Sequence, residues 1–200
     1  MPDQRKEYFN CQAPGWDAQL LPEKQDRILQ ACHQYVPPLA APVLDVGCGT
    51  GVLIPVLLKI LPGHSRIIEL DIAGGMLRQA RGKNKNNNRI SHINADIHFL
   101  PLADCSVVTA ICFESLPHFR DLPAALQELH RVLQSGGKLI ILHLISHEKL
   151  NELHRQTGGA ICRDYLPSLA DLAGRLTDLR FRLVQAIERE DLYLVAAEKR

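Results

Sequence analysis

An apolar run that leads into three alternate glycines is the feature that most limits what this chain can fold into. Val43-Leu-Asp-Val-Gly-Cys-Gly-Thr-Gly51 has the character of a short buried strand, a glycine turn and the start of a helix. Glycine permits backbone conformations that other residues avoid and lets a ligand approach the backbone amides closely. The segment therefore predicts a nucleotide-binding turn.

The turn differs from two common phosphate-binding turns. A dinucleotide-binding turn has Gly or Ala at the sixth position, where this chain has Val52, and the Gly-Lys-Ser or Gly-Lys-Thr of a nucleoside triphosphatase does not occur. We expect a nucleoside ligand that is not held through phosphates. Asp71 ends the next apolar run, where this topology places an acid against ribose hydroxyls, although it has the alternative of capping a helix. Asp45, at the end of the first run, has the alternative of meeting a cationic group of the ligand.

Apolar runs of strand length alternate with helical patterns from residue 41 onward. The predicted strands are 43–46, 66–70, 90–94, 107–113 and 138–144, and the predicted helices between them are 52–61, 75–81 and 122–133. This alternation predicts an α/β fold with a parallel sheet. The runs 180–188 and 192–198, joined by a tight turn, predict an antiparallel pair at the sheet edge.

Composition and charge exclude several classes of protein. The chain of 200 residues is 46% hydrophobic and 22% charged, which is typical of one soluble globular domain. A net charge of +1 favours neither nucleic acid nor an anionic membrane, and no apolar run is long enough to span a bilayer. The N-terminus lacks the apolar stretch of a signal peptide, so we expect a cytoplasmic protein. The six cysteines include no pair at the spacing of a zinc ribbon, and we predict no metal site.

Several motifs, in order along the chain, make residues 8–145 resemble a class I S-adenosylmethionine-dependent methyltransferase of the small-molecule group called type 11. The glycine turn is similar to the first motif of that family, and Glu69-Leu-Asp-Ile-Ala-Gly-Gly-Met-Leu77 resembles the second. Asn94-Ala-Asp-Ile-His-Phe-Leu-Pro101 resembles the third, and the stretch from Ala124 to Gly137 resembles the helix and turn before the fifth strand. The resemblance implies a Rossmann-like, three-layer fold with a seven-stranded, mostly parallel sheet and an antiparallel C-terminal strand.

The same resemblance implies a cofactor, S-adenosyl-L-methionine, which leaves as S-adenosyl-L-homocysteine. It places the glycine turn against the methionine part, Asp71 on the ribose, and Asp96 on the adenine amino group. The expected cofactor-binding residues are Tyr8, Trp16, Asp45, Gly47, Gly49, Gly51, Asp71, Ile72, Met76, Asp96, Ile97 and Phe113. We expect one domain, with a helical cap at 1–40, the cofactor-binding core at 41–145, a substrate lid and helix at 146–179, and a strand pair at 180–200.

The segment after the fourth strand, from Cys112 to Phe119, is expected to face the methyl group. His118 is the candidate general base, because imidazole titrates near neutral pH, and loop shaping is its alternative role. Glu114, His118, His143, His147 and Tyr165 are the expected substrate residues, the last three because they follow the fifth strand.

The predicted activity is methyl transfer to a small-molecule acceptor. Alternatives are a noncatalytic module or partner subunit that binds the cofactor, a nicotinamide-dependent oxidoreductase, which Val52 disfavours, and an RNA methyltransferase that uses the basic side chains between Arg78 and Arg89. The balanced charge makes nucleic acid an unexpected partner.

Overall fold

Seven strands form one sheet in the computed structural model, which describes residues 4–19 and 23–200. The strands are β1 (Val43–Val46), β2 (Ile67–Asp71), β3 (Ile90–Asn94), β4 (Val107–Phe113), β5 (Leu133–His143), β6 (Phe181–Arg189) and β7 (Leu192–Lys199). The helices are α1 (Gln4–Gln12), α2 (Lys24–Tyr35), α3 (Ile54–Ile60), α4 (Gly74–Lys83), α5 (Leu122–Val132), α6 (His147–Thr157) and α7 (Leu169–Asp178). Shorter 3-10 helices include Ala13–Gln19, Leu116–His118 and Gly159–Ile161.

The strand order is β3-β2-β1-β4-β5-β7-β6. Strands β1 to β5 run parallel, and β7 lies antiparallel between β5 and β6. The predicted α/β fold, with a mostly parallel sheet and an antiparallel C-terminal strand, is therefore confirmed.

Helices cover both faces of the sheet because its central strands are buried on both sides. All four residues of β1 are buried, as expected of a central parallel strand. On one face, α5 and α7 supply buried leucines such as Leu126 and Leu172. On the other face, α2 and α3 supply Ile28 and Leu57. The sheet is the middle layer of three.

The fifth strand begins earlier than predicted. The sequence pattern indicates a strand from residue 138, whereas β5 begins at Leu133, which pairs with Val107 before a shift in register. Gly136 has a φ of 74°, so the backbone turns there without strain. A Cβ on Gly137 would lie 2.8 Å from the carbonyl oxygen of Gln134 and 3.0 Å from that of Val108. The two glycines therefore belong to an irregular start of β5, and Leu133 is a strand residue, not a helix residue.

The first described residues lie against α4 and the glycine turn. Asn10 Oδ1 accepts a hydrogen bond from the backbone nitrogen of Gly75 at 2.7 Å. The carboxylate of Asp17 accepts from the hydroxyl of Thr50 at 2.5 Å and from the ammonium group of Lys83 at 2.8 Å. These polar contacts hold the N-terminal segment 4–19 over the ends of β1 and β2.

No helix among the described residues has both the length and the apolar character needed to cross a bilayer.

Candidate active site

A cavity opens at the carboxyl ends of β1, β2 and β4, beneath the N-terminal segment. Parallel strands present their carboxyl ends at one edge of the sheet, and the strand order reverses between β1 and β4. A crevice forms at such a reversal, so the topology explains the position of the cavity. Twelve residues proposed from the sequence line it, namely Trp16, Asp45, Gly47, Gly49, Asp71, Ile72, Met76, Asp96, Ile97, Phe113, Glu114 and His118.

The glycine turn is shaped by close neighbours on one side and open space on the other. The φ angle of Gly47 is 69°, and a Cβ there would lie 2.5 Å from the Cβ of Ser115. Gly49 also has a positive φ, of 56°, and its missing side chain leaves open space. The turn therefore presents bare backbone to the cavity at Gly49, and Gly47 allows the loop after β4 to pack closely.

Asp71 is fixed by the turn that it faces. One carboxylate oxygen accepts a hydrogen bond from the backbone nitrogen of Gly49 at 2.9 Å, and the other accepts from that of Ala73 at 2.7 Å. Burial raises the pKa of Asp71, and the two backbone hydrogen bonds oppose this rise. A carboxylate accepts about four hydrogen bonds, so lone pairs on both oxygens stay available to a ligand.

Asp45 and Glu69 form a buried acidic pair next to the cavity. They are register partners on β1 and β2, so their side chains lie on the same face of the sheet. Asp45 is 1% exposed and Glu69 is 0% exposed, and Asp45 Oδ2 and both oxygens of Glu69 have no hydrogen-bond partner among the described residues. Burial and the nearby charge of Asp71 raise the pKa of Asp45 to about 8. The cavity wall therefore contains a carboxyl group that lacks a cationic or hydrogen-bonding partner.

Asp96 occupies the opposite wall, together with Ile97. Its Oδ1 accepts from the backbone nitrogen of His98 at 3.0 Å and from the ring of the same residue. Burial works against the charge of Asp96, but the hydrogen bonds of His98 outweigh it and keep the pKa below its usual value. Its Oδ2 lies 3.8 Å from Arg120 Nη2 and is the oxygen with more freedom to meet a ligand.

His118 is held by a carboxylate from a distant part of the chain. Its Nδ1 lies 2.6 Å from Oδ2 of Asp164, whose side chain is 0% exposed. The other oxygen of Asp164 accepts from Arg5 Nε at 2.7 Å and from Arg5 Nη2 at 2.5 Å. The ring of Phe9 meets the His118 ring edge-on, with 5.0 Å between centroids. Arg5 and Phe9 are one helical turn apart on α1, so a single face of that helix contacts the whole group.

Glu114 is also paired. Its carboxylate lies 2.5 Å from the ammonium group of Lys24, which in turn lies 5.6 Å from the ring centroid of Phe113. The φ of Glu114 is 51°, in the left-handed region. Lys24, at the start of α2, therefore fixes a side chain at the end of β4.

Five of the residues proposed from the sequence lie outside the cavity wall, which corrects their expected places. Gly51 faces inward, where a Cβ would lie 2.6 Å from Ile54 Cδ1, and its place in the turn is a packing role. Tyr8 packs edge-on against Phe9, and the cavity is lined by Phe9 instead. His143 is 1% exposed and stacks edge-on against Tyr193, because β7 covers the end of β5. Burial lowers the pKa of His143 to about 3.

His147 and Tyr165 lie together, but elsewhere. They line a separate shallow depression beside α6, where the Nδ1 of His147 lies 2.5 Å from a carboxylate oxygen of Glu188. Within residues 4–19 and 23–200, no three His, Cys, Asp or Glu side chains are arranged to hold a metal ion.

Sequence reasoning missed the residues that reach the cavity from outside the central motifs. These are Arg5, Phe9, Lys24 and Arg120 in the wall, and Asp164 behind His118. The only sequence signal for these residues was the four-residue spacing of Arg5 and Phe9, which places both side chains on one face of a helix. Asp164 is 46 positions from His118, and no local pattern indicates that they meet.

Comparison with known proteins identifies a matching domain family and several relatives. Residues 44–141 match the Methyltransferase domain family. A malonyl-[acyl-carrier protein] O-methyltransferase of Gallionella capsiferriformans is 31% identical over 189 residues, which cover 90% of this chain and 63% of the relative. The protein of the same name from Yersinia pestis is 34% identical over 167 residues, which cover 80% of this chain and 58% of the relative. The chain spans less than two thirds of the length of these curated relatives.

A solved structure with the same fold extends this comparison to nearly the whole chain. The chain in complex with the Trm112 methyltransferase activator of Haloferax volcanii matches with a TM-score of 0.78 and 19% identity, over 95% of this chain and 96% of that one. The glycine turn, the acidic residues at the strand ends and the matched domain agree with this fold. Residues 44–141 therefore match a methyltransferase domain, and the chain as a whole has the fold of solved S-adenosylmethionine-dependent methyltransferases.

Proposed function

We propose that this chain transfers the methyl group of S-adenosylmethionine to a small-molecule acceptor. The observation that carries the proposal is one cavity with an unpartnered buried carboxyl group, Asp45, in its wall and a carboxylate-held imidazole, His118, beside it. The first group suits a cationic cofactor, and the second suits an acceptor that has a proton to lose.

The residues around the cavity fit S-adenosylmethionine. Asp45 Oδ2 is free to accept from the α-ammonium group, and Asp71 has lone pairs left for the ribose hydroxyls. Asp96 is placed for the adenine amino group, and Ile97 and Met76 offer apolar surface for the ring. Trp16, Ile72 and Phe113 complete the proposed binding wall. When bound, the cofactor supplies an activated methyl group on a sulfonium.

The contribution of the chain is to orient the reactants and to handle one proton. Holding the reactants in line lowers the activation free energy by roughly 7 to 11 kcal/mol, because their translational and rotational freedom is already lost on binding and solvent reorganisation is avoided. Phe9, Phe113 and Phe119 line the same cavity and exclude water from the place where the acceptor sits. Glu114, fixed by Lys24, is a second group that can orient the acceptor, and His118 is the proposed base.

A small acceptor suits this cavity better than RNA. The N-terminal segment contributes Arg5, Phe9 and Trp16 to the wall and so covers the approach from that side. Two of the basic side chains proposed as an RNA patch are engaged within the chain. Lys83 binds Asp17, and Arg89 donates to the backbone oxygens of Ser65 and Pro62. The relatives named above are methyltransferases of a malonyl group on a carrier protein, and a small acceptor group is in line with those names.

The domain plan predicted from the sequence is part of this proposal. Within the predicted cap 1–40, residues 4–19 lie over the cofactor site, and the predicted lid 146–179 supports the acceptor site through Asp164, which lies behind His118. Limited proteolysis tests the plan, because bound cofactor should protect the cap residues 4–19 from cleavage. Equal cleavage with and without cofactor would contradict it.

The experiment for the proposed function has two steps. Calorimetric titration should give micromolar affinity for S-adenosylmethionine and S-adenosylhomocysteine and none for NADH. Release of S-adenosylhomocysteine is then followed with a panel of small acceptors and with RNA. Failure to bind the cofactor would overturn the proposal. Binding without product on any acceptor would favour a noncatalytic module.

A further inference from the structure

Asp164 is a buried acid with two side-chain partners and two backbone partners, and it lies outside the motifs that carry the family resemblance. Its side chain is 0% exposed, and each of its oxygens meets a different base, His118 on one side and Arg5 on the other. Its backbone is held as well. The carbonyl oxygen accepts from the ring of His154 at 2.9 Å, and the nitrogen donates to the oxygen of Ile161 at 3.0 Å. The carboxylate is therefore placed before any ligand arrives.

This placement sets the direction of the His118 ring. A carboxylate only accepts hydrogen bonds, so the nitrogen that faces Asp164, Nδ1, is the one that carries the proton. The neutral ring then has its lone pair on Nε2, and no hydrogen bond within residues 4–19 and 23–200 occupies that nitrogen. A histidine held in this tautomer is ready to take a proton at Nε2.

We propose that Asp164 is the positioning residue that holds His118 in the Nδ1–H tautomer, and that the acceptor served by this pair is a phenolic hydroxyl. The inference rests on the proposed methyltransferase function and names the acceptor class for that same cavity.

Two considerations favour a phenol. A carboxylic acid, such as the malonyl group in the names of the relatives, has a pKa near 4, is already ionised at neutral pH and would leave the His118–Asp164 pair without a role, whereas a phenol, with a pKa of about 10, must lose a proton. The rings of Phe9 and Phe119 lie in the same wall and suit an aromatic acceptor.

The step is a displacement at carbon with one proton transfer. The phenol O–H bond gives its proton to Nε2 of His118 while the oxygen forms a bond to the methyl carbon. The bond between that carbon and sulfur breaks, and its electron pair stays on sulfur, so the products are a methyl ether, a neutral thioether and a protonated imidazole. Asp164 keeps its negative charge and faces the imidazolium that forms.

The first test measures the tautomer directly and needs no acceptor. Nitrogen-15 NMR of the histidine rings, with His118 identified by His118→Gln, should show the neutral wild-type ring protonated at Nδ1. In Asp164→Asn, Arg5 keeps the amide oxygen, so the amide nitrogen faces the ring and the proton should move to Nε2. The control Asp178→Asn, at the exposed end of α7, should leave the spectrum unchanged. A wild-type ring protonated at Nε2 would overturn the proposal even if the variant fails to fold.

The second test compares ring-matched acceptors. Phenol, 4-nitrophenol, benzoate and benzylamine are offered with S-adenosylmethionine, and turnover is expected with the two phenols. Asp164→Asn should lower kcat on phenol about 100-fold or more, since general-base catalysis contributes roughly 10²- to 10⁴-fold. The loss should be smaller on the more acidic 4-nitrophenol, and the cofactor Kd should stay within about twofold of wild type.

The outcomes separate this inference from the proposed function. Cofactor binding without turnover of either phenol would overturn the acceptor class and leave the cofactor site standing. An equal loss of kcat on both phenols would show that Asp164 supports the fold of the loop and does not position a base. Absence of cofactor binding in the wild type would count against the proposed function itself.

Discussion

The buried carboxyl group of Asp45 gives the chain a stability that depends on pH in an unusual direction. In the unfolded chain this group has lost its proton above its ordinary pKa of 3.8, whereas in the folded chain burial keeps the proton on up to a pKa of about 8. Between these values the folded state binds one proton more than the unfolded state. The free energy of unfolding therefore falls as pH rises, by about 1.4 kcal/mol per pH unit from this group.

Replacing Asp45 with Asn removes that titration and keeps the shape of the side chain. Between pH 5 and pH 7 the wild type should lose about 2.7 kcal/mol through Asp45, and the variant should not. The stability of Asp45→Asn relative to wild type should thus increase by about that amount over the two pH units. Glu69 and Asp71 are present in both proteins. Because Asp45 helps to raise the pKa of Glu69, its removal should also weaken the pH dependence that comes from Glu69, which changes the comparison in the same direction.

Urea unfolding at pH 5, 6 and 7, without cofactor, measures the difference. Asp178→Asn is the matched control, because Asp178 is exposed and its loss should leave the pH dependence of wild type unchanged. If Asp45→Asn and wild type change in parallel with pH, Asp45 is already ionised in the folded chain. The account of Asp45 as an uncompensated buried acid would then be wrong.

Two further substitutions test the cofactor site, and a third, in α7, serves as a control. Asp71→Ala should weaken S-adenosylmethionine binding by about tenfold to a hundredfold in calorimetry, because a hydrogen bond to a charged group contributes roughly 1.5 to 3 kcal/mol. Unchanged affinity in a folded variant would show that Asp71 does not bind the ribose. Gly47→Ala should cost about 2 kcal/mol or more in urea unfolding and reduce cofactor binding, since its Cβ would lie 2.5 Å from Ser115 Cβ at a φ of 69°. Gly174→Ala, inside α7 with no atom within 4 Å of the new Cβ, should instead add up to about 1 kcal/mol and leave binding intact.

The central part of the site was predictable because its residues lie at strand ends. Asp45, Asp71 and Asp96 each follow an apolar run, and parallel strands bring such positions to one edge. Their convergence on one cavity needs no knowledge of side-chain packing. The position at strand ends indicated Asp45 and Asp71, whereas Asp96 was expected only from the family resemblance of its segment.

The outer part of the site depends on long-range packing and could not be predicted from the sequence. His143 was expected at the acceptor because it ends β5, but the antiparallel arrival of β7 places Tyr193 on it and buries it. Asp164 reaches His118 from the loop that follows the 3-10 helix Gly159–Ile161, and no local sequence pattern near either residue indicates that contact. Tyr8 and Phe9 differ by one position, which on a helix is a rotation of about 100 degrees and changes which ring faces the cavity.

The way α1 is attached has a consequence for how the cavity fills. This helix buries none of its residues, and its contacts include the polar bonds of Arg5 to Asp164 and of Asn10 to Gly75. Segments held by few apolar contacts open at a lower free energy than the whole fold, so the amides of α1 should exchange with solvent faster than those of β1 or β4. Each such opening would uncover the cavity and, at the same moment, take Arg5 away from Asp164. Ligand entry would then coincide with loss of the Arg5 contact, while the His118 contact and the backbone hydrogen bonds of Asp164 keep the carboxylate in place.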